Sequence, residues 1–207
     1  MITENPFVFG RAAEGAYFTD RIEDARRLSA NLTHGINTIL ISPRRWGKTS
    51  LVKKVINETD HPDTRFVFID IFDCKSEYDF YHSFANEIVK QTSSKIDEWV
   101  ETAKSFLSNI SPKFSFGTDP MNDFSLSFEW SPKDNTEKEI LQLPQKIAQK
   151  KNLRLIVCLD EFQQIADFSE SITFQKKLRS VWQHQQEVTY CMFGSKKHLM
   201  ENIFNEK

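Results

Sequence analysis

The chain has 207 residues, enough for one well-buried domain with a small appendage. Its 39% hydrophobic and 27% charged residues are those of a globular protein and argue against disorder. The formal net charge of −2 argues against nucleic-acid binding driven by bulk charge and leaves only a local basic patch for that role.

No window approaches the roughly 18 consecutive apolar residues that a membrane span needs. The start, MITENPFVFG, lacks the charged and apolar regions of a secretion signal. Cys74, Cys158 and Cys191 are widely spaced, and two of them fall in apolar strand-like runs. They read as buried free thiols of a cytoplasmic protein, not as a disulfide or metal site.

In chain order, DRIEDARRLSANLTHG reads as a helix, with Asp20 as N-cap and Gly35 as its stop. NTILIS (37–42) follows as a continuous apolar run, the mark of a strand buried on both faces. GKTSLVKKVINE is a helix directly after it, and RFVFIDIF (65–72) is the second strand. One long helical pattern runs from about Tyr78 to Leu107.

PKFSFGTDPMNDFSLSFEW (112–130) then alternates apolar and polar residues with period two. Phe114 and Phe116 lie before a Gly-Thr-Asp-Pro turn, and Phe124, Leu126, Phe128 and Trp130 after it. This is the pattern of an inserted β-hairpin with one apolar face. That face packs either on the protein's own long helix or against a protein partner or substrate.

TEKEILQLPQKIAQKK is the next helix, with Pro144 expected to kink or start it. LRLIVCLD (153–160), the helix SITFQKKLRSVWQHQQE and VTYCMFGS (188–195) complete the series. Strands alternating with helices predict an α/β fold with a mainly parallel sheet and helices on both faces.

The stretch ISPRRWGKTSL (41–51) is close to the phosphate-binding pattern of Gly, four residues, Gly, Lys, then Ser or Thr. Gly47, Lys48 and Thr49 stand in place, and Ser42 occupies the position of the first Gly. Pro43 pushes Ser42 towards an extended backbone, which does not need the positive φ that glycine takes cheaply. A loop between strand and helix offers its N–H groups, with the helix N-terminus, as an anion cradle. Ser42, Pro43, Arg44, Arg45 and Trp46 form that loop, and Gly47, Lys48, Thr49 and Ser50 open the helix. Lys48 is expected to reach the β- and γ-phosphates, and the Thr49 hydroxyl to bind Mg²⁺. Arg44 and Arg45 either add charge near the phosphates or point to solvent.

A second signal lies in LRLIVCLDEF, an apolar strand that ends in Asp160-Glu161. A carboxylate at that strand end falls beside the phosphates, where Asp160 can contact Mg²⁺ through water. Glu161 is placed to polarise an attacking water. Either motif alone is modest, but the two in this order, each at a strand end, specify a nucleotide site.

With both motifs in hand, the sequence resembles the additional-strand P-loop ATPases. Within them it is most similar to the archaeal-type ATPases related to the AAA+ and STAND groups. NPFVFGRAAEGAYFTDRIEDARRL resembles their N-terminal box, with Phe18, Thr19, Asp20 and Arg21 at a Phe-x-x-Arg element and Ile22 where an acid is usual. VCLDEFQQI is similar to their Walker B strand. MFGSKKHLMENIF is similar to their strand-end Gly-Ser, which places Ser195 at the sensor position that touches the γ-phosphate or the attacking water.

The resemblance implies a three-layer P-loop NTPase core covering 1–207, with the N-terminal box and helix at 1–35 and the hairpin inserted at 112–130. It implies four strands of the order 5-1-4-3-2, with the fifth strand, the lid and the C-terminal domain of those ATPases expected to be missing from residues 1–207. Phe9 and Phe18 would flank adenine, and the cofactors would be ATP or ADP with Mg²⁺. No arginine finger or lid arginine stands at a matching position, so slow turnover is expected. The strand NTILIS would then form an exposed edge and invite self-association. Two readings of activity stay open, an ATP-hydrolysing core and a nucleotide-dependent switch with little turnover. A third, a DNA-handling motor, rests on family analogy alone.

Overall fold

The structure is a computed structural model that describes residues 21–93, 95–107, 112–115, 125–127 and 136–205. Four of the apolar runs are the strands β1 (Thr38–Ile41), β2 (Thr64–Asp70), β5 (Arg154–Asp160) and β6 (Val188–Gly194). They form one parallel sheet in the order β1-β6-β5-β2. This is the expected 1-4-3-2 succession. The first and second strands in the sequence are not neighbours, because the chain leaves β1 for the far edge and fills the centre last. Both central strands carry strand-end residues of interest, and all their C-terminal ends point the same way.

Burial on two faces explains the continuous apolar runs. Ile156, Cys158, Cys191 and Phe193 pack with α1 (Ile22–Thr33) and α2 (Lys48–Glu58) through Leu28, Leu32, Leu51 and Val55. The alternate residues Leu155, Val157, Leu159, Tyr190 and Met192 join the larger core on the other face. That core includes α3 (Glu77–Gln91), α5 (Thr136–Lys151), α6 (Ser171–Trp182) and α7 (Lys197–Asn205). The result is three layers, helix on sheet on helix.

The helical pattern of 78–107 is not one helix. It divides into α3 and α4 (Ile96–Phe106). Thr92 turns its hydroxyl back onto the Ile88 carbonyl at 2.6 Å, and Lys151 donates to the Thr92 carbonyl at 2.7 Å. The second bond satisfies the C-terminal end of α3 from a distant helix, a tertiary cap that local periodicity does not show. At its other end α3 starts where Ser76 accepts from the Asp79 amide and the Asp79 carboxylate receives the Lys75 amide.

Asp20 lies outside the described residues, and Arg21, at the N-cap position of α1, makes no side-chain capping bond. Pro144 neither starts nor ends α5, which runs through it with Pro144 buried. Gly35 follows α1 as expected. All three cysteines are free and buried, with Cys158 and Cys191 opposite each other on β5 and β6. No helix among the described residues is long and apolar enough to cross a membrane.

The hairpin is present as β3 (Lys113–Ser115) antiparallel to β4 (Ser125–Ser127), with Phe114 opposite Leu126. Leu126 is fully buried in the protein's own core, and Asn86 of α3 bonds both its amide and its carbonyl. At Leu126 the apolar face is therefore used internally, which removes this residue from any partner-docking surface. Phe116, Phe124, Phe128 and Trp130 lie outside the described residues.

Candidate nucleotide site

The C-terminal ends of β1 and β5 deliver the predicted residues to one place. β1 ends at Ile41, the loop runs through Ser42–Trp46, and α2 begins at Lys48 with Gly47 as its N-cap. Gly47 takes a left-handed φ of 70° and nothing lies within 4 Å of where a Cβ would be. Its glycine is thus a backbone requirement and not a packing one. Arg45 also adopts positive φ, 66°, so the loop turns through two left-handed residues before the helix. Helix geometry leaves the first N–H groups of α2 without carbonyl partners of their own helix, free to meet an anion held by the loop.

Lys48 is 7% exposed. Its Nζ donates to the carbonyls of Ser42 at 2.8 Å and Pro43 at 3.0 Å, across the mouth of the loop. Burial lowers its pKa, while Glu161 and Asp160 oppose the shift and Arg21 and Arg44 add to it. Arg44 and Arg45 are exposed, as is the Trp46 ring, whereas Ser50 is buried. Arg21, which ends the proposed N-terminal box, donates from its guanidinium to the Trp46 carbonyl at 3.0 Å and to Asp24 at 2.7 Å. Phe9 and Phe18 lie outside the described residues.

Thr49 and Asp160 stand 111 residues apart in sequence, yet the Thr49 hydroxyl donates to Asp160 Oδ2 at 2.7 Å. The other Asp160 oxygen accepts the Glu161 amide at 2.8 Å. Burial pushes the Asp160 carboxyl up to about 6, against the pull of these two bonds and with further upward pressure from Asp70 and Glu161. Asp70 ends β2 directly opposite Asp160 in register. Glu161 follows with a left-handed φ of 53°, a strained conformation for a side chain of this size. Strain of this kind is concentrated at functional sites, and here it turns the chain sharply at the strand end.

Ser195 lies one residue past β6, the neighbour of both β1 and β5. Its hydroxyl is buried without a hydrogen-bond partner, and the same holds for the Ser42 hydroxyl at the start of the loop. Buried hydroxyls left so are uncommon and need an explanation. Two of them at one strand-end site fit a polar ligand there.

Residues 18–206 match the family described as an ATPase domain predominantly from Archaea. The chain belongs to this family. A search of curated proteins returned no match. Among solved structures, this ATPase domain shares its fold with the Walker-type ATPase of Pyrococcus abyssi, at TM-score 0.60 and 18% identity, over 97% of this chain and 52% of that one. The ORC2 protein of Aeropyrum pernix, solved in ADPNP-ADP complexes, matches at TM-score 0.55 and 16% identity, over 97% of this chain and 47% of that one. The ORC1 protein of Aeropyrum pernix in complex with DNA matches at 0.51 and 13%, over 89% and 41%. The chain thus spans about half the length of the solved structures it resembles.

Within this ATPase domain the structure brings together Ser42, Lys48, Thr49, Asp160, Glu161 and Ser195 around the ends of β1, β5 and β6. Sequence reasoning missed Asp70 and Gln163. Asp70 had a signal, an acid inside the apolar run RFVFIDIF. Gln163, in the 3-10 turn Phe162–Asp167, had none, because one glutamine in FQQI looks like any polar turn residue.

Proposed function

We propose that this ATPase domain binds ATP and ADP with Mg²⁺ through residues 42–50 and hydrolyses ATP. The contact between the Thr49 hydroxyl and the Asp160 carboxylate carries this reading. Two oxygen ligands suited to a hard cation meet there, beside Lys48 and at the start of a helix. When bound, Mg²⁺ supplies charge neutralisation at the transferred phosphoryl group. Thr49 and, through water, Asp160 are the residues to hold it.

Lys48 exchanges its loop carbonyls for the β- and γ-phosphates, and the loop amides bind phosphate oxygens from below. Glu161 orients a water against the γ-phosphorus and takes its proton. The new oxygen–phosphorus bond replaces the bond to the β-γ bridging oxygen, releasing ADP and phosphate. The Ser195 hydroxyl, buried and unpartnered, donates to the γ-phosphate or the water. Phe9, Phe18 and the segment up to Arg21 wall the adenine, and the contact from Arg21 to the Trp46 carbonyl supports the proximity of that segment to the loop. We infer further that residues 1–207 form one ATPase core, and that copies of the chain associate through β1.

A thermal-shift titration with ADP·Mg and ATP·Mg tests the reading. Ligand at 100 times its dissociation constant should stabilise the fold by about 2.7 kcal/mol. Lys48→Ala should remove the shift, and Glu161→Gln should keep it while losing turnover. No shift at millimolar nucleotide overturns the reading. Turnover in the wild type no faster than in Glu161→Gln would leave a nucleotide-dependent switch.

A further inference from the structure

Gln163 is 3% exposed and lies two residues beyond Glu161, inside the 3-10 turn. Its carboxamide is used at both ends. Nε2 donates to Glu161 Oε2, and Oε1 accepts the Ser195 amide at 3.2 Å. The chemistry fixes which end is which. A carboxylate only accepts and an N–H only donates, so a flipped amide would face acceptor with acceptor and donor with donor.

The neighbouring sequence makes room for this bridge. A Cβ at Gly194 would sit 1.9 Å from Gln163 Oε1, so the Gly of MFGS permits the glutamine's seat. The residues bridged are those at the ends of β5 and β6, which carry the proposed water-orienting carboxylate and the buried, unpartnered Ser195 hydroxyl. Glu161 itself turns through a strained backbone, and the Gln164 amide closes that turn on the Glu161 carbonyl at 2.9 Å. The backbone aims the Glu161 side chain, and Gln163 then fixes its carboxylate.

We propose that Gln163 is a positioning residue for hydrolysis, holding the Glu161 carboxylate and tying its place to the Ser195 end of β6. This rests on Glu161 being the residue that orients water. A displacement of Ser195 by the γ-phosphate is passed to Glu161 through one buried side chain. A carboxylate held by a charge-assisted bond keeps one rotamer, and loss of that orientation slows a reaction without weakening ground-state binding.

The test uses the 207-residue chain with protein in excess of radiolabelled ATP, so that a slow single turnover is read. Gln163→Met keeps the volume and removes both bonds. Gly194→Ala leaves Gln163 unchanged but displaces it. Each should lower the single-turnover rate by about 10- to 100-fold, while ATP affinity stays within about threefold, a difference of under 1 kcal/mol. In a Glu161→Gln background neither should lower the rate further.

A rate within threefold of wild type in a folded Gln163→Met chain overturns the proposal. Affinity falling in parallel with rate also overturns it, because that marks a structural role. A wild type no faster than Lys48→Ala defeats the hydrolysis reading instead. The bridge is then read by NMR in the otherwise unaltered chain, where Glu161→Ala should move both the Gln163 side-chain amide and the Ser195 backbone amide. Movement of both sustains the positioning of Glu161, and a still Gln163 amide overturns it. The same NMR measurement decides the matter if both substitutions at 163 and 194 fail to fold.

Discussion

The Asp160 carboxyl faces opposite demands with and without ligand. In the free fold, burial raises it from 3.8 to about 6. A folded-state pKa above the unfolded one means that the fold binds the proton more readily than the open chain. The resulting stability is complete below 3.8 and is lost as pH rises through about 6. The proposed binding of Mg²⁺ and nucleotide would need the opposite, an ionised Asp160. We therefore expect ADP·Mg affinity to rise between pH 5 and 7, while the Asp160 contribution to ligand-free stability falls. Asp160→Asn should flatten both profiles, as read by titration calorimetry and by thermal melts at matched pH. An unchanged slope for ADP·Mg would remove Asp160 from the metal site. That Lys48, Thr49, Asp160 and Glu161 come together was legible in the sequence, because each lies at or directly after the end of an apolar strand or its loop. Gln163 was not, because its contacts to Glu161 and Ser195 come from where the turn places it.

At the scale of elements, one side chain of α3 fastens a hairpin that local sequence leaves loose. Asn86 bonds the Leu126 carbonyl at 2.9 Å and receives the Leu126 amide at 2.6 Å, and so clamps the hairpin. A hairpin whose described strands are three residues each is marginal alone and needs packing of this kind. Asn86→Ala should destabilise the chain by about 1–3 kcal/mol, the cost of leaving buried main-chain groups unpaired. Hydrogen exchange at Leu126 should quicken well beyond exchange in β5. Equal quickening in both would mean global destabilisation and no specific clamp. The period-two pattern made the hairpin visible in the sequence, and the apolar runs made the strands visible. The separation of α3 from α4 was hidden, because the Lys151 cap arrives from α5. Periodicity reports which face is buried and says nothing of which distant residue ends a helix.

Across the whole molecule, the two edges of the sheet are treated differently. At the β2 edge, Gln91 of α3 accepts the Phe68 amide and donates to the Phe68 carbonyl, both at 2.8 Å. A side chain thus occupies main-chain groups that another strand could otherwise take. Among the described residues, β1 pairs only with β6, and no side chain bonds Thr38–Ile41 in that manner. Ile39 and Ile41 are 39% and 38% exposed on the same face of β1, with no charge or proline in the strand to discourage pairing. An exposed apolar edge of this kind pairs with its own copy most simply in antiparallel fashion about a twofold axis, since one patch then serves both chains. We expect the 207-residue chain to associate with rising concentration in light scattering, with slow hydrogen exchange at Ile39 and Leu40 in the associated form. Ile39→Lys places a charge on the exposed face of the edge and should restore the monomer while leaving ADP·Mg affinity unchanged. The loop begins only after Ile41, and the Ile39 side chain points away from the α1–α2 layer that carries the loop's helix. A monomer at all concentrations with fast exchange at both amides would show that the edge stays open and unused. A monomer with slow exchange there would show that another part of the same chain covers β1.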